Sequence, residues 1–261
     1  SQSGETADTL EAIKEAKRKG LLTLGVVNVV GSTIAREVHA GVYNHAGPEI
    51  AVASTKAFIS QLVVLTLMAV YIGRMRLLTA DQAKVILADM LSLPDKMNKI
   101  LKQDAKIKAI AKRYKNFPNF LYLGRKYSWP VALEGALKLK EISYVHAEGY
   151  PAGEMKHGPI AVIDKNFPSV VIAMRDSVYD KTLSNMQEIK ARRGKIIAVC
   201  EVGDKEMGNH ADEVILVPKV AESISPILTV IPLQLFAYHM AVSRGADVDK
   251  PRNLAKSVTV E

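Results

Sequence analysis

Two stretches of this chain repeat one another. Asp8-Thr9-Leu10 begins a helical pattern that ends in Lys17-Arg18-Lys19-Gly20 and runs into an apolar segment. Lys181-Thr182-Leu183 does the same through Arg192-Arg193-Gly194. Each half then closes on a long apolar helix, Ala57 to Gly73 and Ile227 to Val242. A repeat of this size constrains the fold more than any single element, because both copies must solve one packing problem in one way. Short apolar segments at Leu21 to Val29, Ala40 to Asn44, Phe120 to Gly124, Val170 to Met174, Lys195 to Cys200 and Glu213 to Val217 read as strands alternating with helices. That alternation predicts an α/β protein. Measured against the second copy, the first lacks a strand, a helix and part of the next strand, on the order of 50 residues. The chain starts at Ser1, without Met and inside a motif, so it is expected to be a piece of a longer one.

The chemistry-bearing residues concentrate between Ala136 and Pro159. Lys138 and Glu141 are three apart, so on a helix they share a face, where ammonium and carboxylate tune each other's proton affinity. This is the layout of a general acid/base pair, although solvated charges on an amphipathic helix would share the spacing. After the helix, Gly149, Pro151, Gly153, Gly158 and Pro159 predict a long loop presenting Glu154, Lys156 and His157. At the other end of the chain, Ser1-Gln2-Ser3-Gly4-Glu5-Thr6 precedes a helix. Hydroxyls and free N–H groups at a helix N-terminus suit an anion, and the same residues could simply cap the helix.

A net charge of +8 favours anionic partners. The basic residues are scattered through helices without aromatic interleaving, which points to small phosphorylated ligands rather than nucleic acid. With a single cysteine, Cys200, no intramolecular disulfide can form, and a reducing cytoplasm is the natural compartment. The six histidines, His39, His45, His146, His157, His210 and His239, lack metal-ligand spacing with Cys or carboxylates, so neither metal nor cofactor is expected. The uncharged run Ala57 to Gly73 is short for a membrane span and contains Ser60, Gln61 and Thr66; it predicts a buried core or subunit-contact helix. From Thr79 to Tyr114 the spacing is helical, with Pro94 dividing it into two helices.

Five motifs carry a family resemblance: Ser-Gln-Ser-Gly-Glu-Thr-Ala-Asp-Thr at 1–9, Val-Ala-Ser-Thr-Lys-Ala at 52–57, Leu-Glu-Gly-Ala-Leu-Lys-Leu-Lys-Glu at 133–141, Glu-Met-Lys-His-Gly-Pro at 154–159, and Pro-Arg-Asn-Leu-Ala-Lys-Ser-Val-Thr-Val-Glu at 251–261. In this order they resemble the isomerase half of the isomerising glutamine–fructose-6-phosphate aminotransferases (glucosamine-6-phosphate synthases), which consists of two SIS (sugar isomerase) domains. The resemblance implies three-layer α/β sandwiches with parallel sheets, the first incomplete. It implies residues 1–80 as part of a first SIS domain, 81–110 as a helical connection, 111–250 as a second SIS domain and 251–261 as a tail lining the active site.

It also implies roles. Ser1, Gln2, Ser3 and Thr6 match the sugar-phosphate loop. Ser54, with the backbone of Val52, matches the contacts to sugar hydroxyls. Glu141 matches the base that moves a proton between C1 and C2, with Lys138 beside it. His157 matches the ring-opening residue, which in the family reaches the site from the neighbouring subunit of a homodimer. Lys256 matches the lysine that forms an imine with the ketose. The expected ligands are fructose 6-phosphate, glucose 6-phosphate and glucosamine 6-phosphate, and the glutaminase half of the family is absent from these residues. A non-catalytic SIS module that senses phosphosugars would keep the phosphate loop but has no use for Glu141, His157 and Lys256 together. The apolar alternation of Leu254, Val258 and Val260 predicts a tail docked in a groove, with Lys256 partly dehydrated.

Overall fold

The structure, a computed structural model, describes residues 1–259; Val260, part of the expected apolar alternation, lies outside the described residues. The chain divides into two compact units, one formed by residues 1–83 with the chain from Asp249 onward, the other by Lys84–Val248.

In the first unit the order is α1 (Ala7–Arg18), β1 (Leu24–Val27), α2 (Thr33–Glu37), β2 (Ala40–Tyr43) and α3 (Lys56–Arg74). Strands β1 and β2 pair in parallel, with Leu24 opposite Ala40 and Val27 opposite Tyr43. Ser1 lies along β1, its nitrogen donating to Val26 O and its carbonyl accepting from Asn28 N. Ile13 of α1, Val27 of β1 and Ile34 of α2 form the core. Of the two expectations for this run, a buried core helix or a subunit-contact helix, the first is not met within this unit: among the residues of α3 only Ala57 and Val70 are buried, and Leu65, Tyr71 and Ile72 are exposed. The reason is area: a two-stranded sheet offers too little surface to cover a helix of five turns.

The second unit contains a parallel sheet of five strands in the order β4-β3-β5-β6-β7, namely β3 (Asn119–Gly124), β4 (His146–Pro151), β5 (Ser169–Ala173), β6 (Ile196–Glu201) and β7 (Glu213–Val217). Its helices are α4 (Ala80–Leu91, starting before the division), α5 (Leu93–Leu101), α6 (Asp104–Tyr114), α7 (Ser128–Ser143), α8 (Tyr179–Ala191), α9 (Met207–His210) and α10 (Ser225–Ser243). The inner strands are apolar on both faces, as a sheet covered on both sides requires. Leu121, Leu123, Val171, Ile196 and Ala198 face Met186 and Ile189 of α8 and Met207 of α9. On the opposite face Phe120 meets Phe236 of α10 edge-on at 5.9 Å, and Tyr114 of α6 packs beside it. This is the three-layer α/β arrangement. Both α3 and α10 are long and apolar enough to cross a membrane by length and composition alone; α10 is the core helix of this unit, buried from Ile227 to Phe236 apart from Gln234 and Leu235.

Three local readings need correction. Pro94 does mark a division of the 79–114 segment, sitting in the first turn of α5 just after the break at Ser92, where its missing N–H costs nothing, but the segment forms three helices rather than two, with a second break at Lys102-Gln103. Residues 146–151, read as the start of a loop, form β4, the edge strand beside β3. Polar residues and Pro are tolerated there because one side of an edge strand has no sheet neighbour. Gly149 in this strand is no turn signal: a Cβ would lie 2.8 Å from the Leu133 Cα, so its absence lets α7 lie close on the sheet. The short helix α9 was not foreseen.

Candidate active site

In the second unit the site begins on α7. This helix packs against β3, β4 and α10; Lys138 on it is buried, and the Lys138 Nζ lies 2.5 Å from Glu141 Oε2 and 3.5 Å from Glu134 Oε1. A buried ammonium is tolerated only when paired, and here two carboxylates flank it. Burial pushes the Glu134 carboxyl up, the Lys138 charge opposes this, and Glu141 adds to it. The result is a short chain of ionisable groups on one helix face, the Lys138 nitrogen between two carboxyls, with the proton affinity of Glu134 raised. The expected pairing of Lys138 with Glu141 is present; Glu134 is the member to which the sequence reading gave no role. Its signal was available, since Glu134, Lys138 and Glu141 follow the i, i+4, i+7 spacing of one helix face.

His157 closes a turn of 3-10 helix, Ala152–His157, that follows β4, and it is exposed. Met155 of the same turn is fully buried in the core and anchors it. The loop expected to present Glu154, Lys156 and His157 is therefore an ordered turn, in which Lys156 pairs with Glu188 of α8 at 2.9 Å.

In the first unit the 1–6 segment wraps the N-terminus of α1. The Ser1 hydroxyl accepts from Gly4 N at 3.0 Å and the Ser3 hydroxyl from Glu5 N at 3.2 Å. Gln2 is partly buried between them. Thr6 occupies the N-cap position of α1 without a side-chain bond to the helix, so simple capping does not account for its hydroxyl. Glu5 accepts from Thr33 N at 2.8 Å, and this backbone amide, followed by the Thr33 side chain, holds its carboxyl below the usual range. Gly4 has φ +72°, and a Cβ on it would fall 1.9 Å from the buried Ser32 Oγ. Gly4→Ala is therefore expected to destabilise this unit by about 1–3 kcal/mol through strain and overpacking. Denaturant unfolding checks this, and a variant as stable as the parent would show that the loop can rearrange.

The tail meets this unit at three points. Asp249 O accepts from Val52 N, Val258 O accepts from Ala7 N at the start of α1, both at 3.1 Å, and the Lys256 Nζ donates to Ala51 O at 2.7 Å. The same nitrogen is 3.5 Å from Val52 O and 3.4 Å from Glu49 Oε2. Ser54 donates to that Glu49 oxygen at 3.1 Å. The structure thus gathers Val52, Ser54 and Lys256, and ties the tail to the helix that Ser1, Gln2, Ser3 and Thr6 precede. One detail differs from expectation. Leu254 and Val258 are exposed, so the tail is held by hydrogen bonds and by Lys256 rather than by apolar burial. The Lys256 side chain is about three-quarters removed from solvent, as the expectation of partial dehydration has it, but polar acceptors rather than apolar side chains surround its nitrogen. Sequence reading missed Glu49, whose only signal is that it is the sole charge between Ala46 and Thr55. Among the described residues no three His, Cys, Asp or Glu side chains gather as a metal site.

Known proteins share the sequence and fold of this chain. The SIS domain family matches residues 1–71 and 115–244. Glutamine–fructose-6-phosphate aminotransferase (isomerizing) of Chlorobaculum tepidum is 56% identical over 261 residues, all of this chain and 42% of that protein. The protein of the same name from Thermus thermophilus is 55% identical over 262 residues, again the whole chain, and 43% of its length. The chain therefore spans less than half of these relatives. A solved structure, the C-terminal domain of glucosamine-fructose-6-phosphate aminotransferase from Francisella tularensis, superposes with a TM-score of 0.92 at 41% identity, covering 96% of this chain and 72% of that one. The chain belongs to the SIS domain family, with the isomerising glutamine–fructose-6-phosphate aminotransferases as its relatives.

Proposed function

We propose that these residues are the sugar-phosphate isomerase part of an isomerising glutamine–fructose-6-phosphate aminotransferase. This part converts fructose 6-phosphate and ammonia to glucosamine 6-phosphate by ketose–aldose isomerisation, and a glutaminase part of the longer chain supplies the ammonia. One observation carries the reading: the tail lysine is anchored on the loop that bears Val52 and Ser54, beside the start of α1. A sensor of phosphosugars has no need of an amine there.

The roles follow. Ser1, Gln2, Ser3 and Thr6 bind the phosphate at the α1 N-terminus, where the helix dipole favours an anion. Ser54 and the Val52 backbone hold the sugar hydroxyls. His157, supplied by a second copy of the chain, opens the sugar ring. Lys256 condenses with the C2 carbonyl of the open ketose: an N–C bond forms, and the carbonyl oxygen leaves as water with two of the ammonium protons. Ammonia then adds to C2 and displaces the lysine, which leaves as the free amine, so that C2 carries an imine of ammonia. Glu141 takes a proton from C1 and returns it at C2 while the C1 hydroxyl proton passes to the nitrogen, which leaves an aldehyde at C1 and an ammonium at C2, with Lys138 fixing the orientation of Glu141. The setting is the reducing cytoplasm.

Ser3→Ala and Thr6→Ala are each expected to weaken fructose 6-phosphate binding, because a hydroxyl donor to a charged group contributes roughly 1.5–3 kcal/mol, about ten- to a hundredfold in affinity. Isothermal titration checks this, and unchanged binding in both variants would place the phosphate elsewhere.

A further inference from the structure

We propose that Glu49 is a positioning residue, a single buried carboxylate that sets the tail lysine and the hydroxyl-binding loop in a common register. The proposal rests on the reading of Lys256 as the amine that condenses with the ketose.

The Glu49 side chain is only 3% exposed, and its two oxygens do different work. Oε1 accepts from Thr55 N at 2.7 Å, from Thr55 Oγ1 at 3.1 Å and from Ala57 N at 3.4 Å. Thr55 is the N-cap of α3 and makes no side-chain cap of its own, so this oxygen closes the first turn of the helix. Oε2 faces the other way, toward the Ser54 hydroxyl at 3.1 Å and the Lys256 ammonium at 3.4 Å. Burial pushes the carboxyl up, but the Thr55 amide, the Lys256 charge, the Ala57 amide and the Ser54 hydroxyl together bring it below the usual carboxylate range, so it is ionised at neutral pH.

The consequence is geometric. An ammonium carries three N–H donors, and here three acceptors surround it: Ala51 O, Val52 O and Glu49 Oε2. Two are backbone carbonyls of the loop, and the third is a side chain locked to that loop through α3. A long flexible lysine on a tail with exposed apolar side chains has little else to fix it. Because Ser54 shares Oε2, the group that holds a sugar hydroxyl and the amine that attacks the carbonyl take their positions from one atom. Catalysis by condensation depends on that separation, since a misplacement of about 1 Å costs about a hundredfold.

The test uses the full-length protein that carries these residues and two readouts. In the absence of sugar, the rate of Lys256 acylation by acetic anhydride, read by peptide mass spectrometry, reports how firmly the tail amine is held. With fructose 6-phosphate, kcat and KM report catalysis. Glu49→Gln keeps a carbonyl oxygen for Thr55 and Ala57 and loses the charge toward Lys256. The expected result is acylation of Lys256 faster by about tenfold or more, Lys14, Lys17 and Lys56 unchanged, and kcat lower by about ten- to a hundredfold with KM within about threefold. Glu49→Asp keeps the charge one methylene short and is expected to fall between; it decides the matter in the same way should Glu49→Gln fail to fold. Lys256 acylation and kcat equal to the parent, or faster acylation of all four lysines alike, would overturn the proposal and leave Glu49 a helix cap only. If the parent itself forms no imine with the ketose at Lys256, the functional reading fails, and the acylation rates still decide whether Glu49 positions the lysine.

Discussion

Glu141→Gln is expected to stop hydrogen exchange between solvent and the sugar at C1 and C2 while leaving sugar phosphate bound. The amide keeps the shape of the side chain, and its oxygen can still accept from Lys138, which lies 2.5 Å from Glu141 Oε2 in the parent. What it loses is the ability to carry a proton from one carbon to the next, a contribution of about 10²- to 10⁴-fold for a general base. The groups proposed to bind the phosphate and hydroxyls belong to the first unit and are untouched, so affinity for fructose 6-phosphate should survive. Proton NMR in deuterated water measures the exchange, and titration measures the binding. The variant has a second signature, because the charge on Glu141 is one of the causes that push the Glu134 carboxyl up. Removing it leaves Glu134 with Lys138 alone, so Glu134 should titrate at lower pH than in the parent. Exchange at the parental rate would exonerate Glu141 as the base. Loss of both exchange and binding would instead mean that the substitution disturbed the site as a whole.

Much of the second unit could be read from sequence because its inner strands are apolar on both faces and helices such as α5 and α6 carry clear periodicity. Phe120, Leu121, Tyr122 and Leu123 announce a strand with no face for water, and they are all buried. The misreadings share a cause: tertiary contact reversed the local meaning of a residue. Gly149 and Pro151 are turn formers in isolation, yet in β4 the glycine admits α7 and the proline ends an edge strand. Pro94 is a helix breaker in the interior of a helix and a helix starter in its first turn. At the site, the Lys138–Glu141 pair was legible because its partners are three residues apart on one helix. The contact between Glu49 and Lys256 spans 207 residues, and no local pattern can report it. The exposed face of α3 was illegible for the opposite reason: its sequence says apolar, and only the size of the neighbouring sheet says how much can be covered.

Borohydride reduction in the presence of fructose 6-phosphate is expected to fix the sugar covalently on Lys256 of the full-length protein. Condensation consumes one ammonium and one carbonyl and yields a protonated imine and water; hydride then adds to the imine carbon and leaves a stable secondary amine. Lys256 is the amine proposed for this step because the Val52 and Ser54 loop holds it, at 2.7 Å from Ala51 O. Lys256→Arg separates the chemistry from the packing. A guanidinium can still donate to Ala51 O, Val52 O and Glu49, so the tail contacts through Asp249 and Val258 should persist, yet it stays charged and cannot form the imine. The expected result is no adduct and isomerisation lower by at least about a hundredfold, an order typical of losing one participating group. Deleting residues 251–261 should abolish isomerisation too, with the unfolding transition of the second unit unchanged, since none of its described core residues comes from the tail. Peptide mass spectrometry locates the adduct. An adduct on a different lysine, or a tail-deleted protein that isomerises at the parental rate, would remove Lys256 from the reaction and leave its contact with Glu49 a purely structural ion pair.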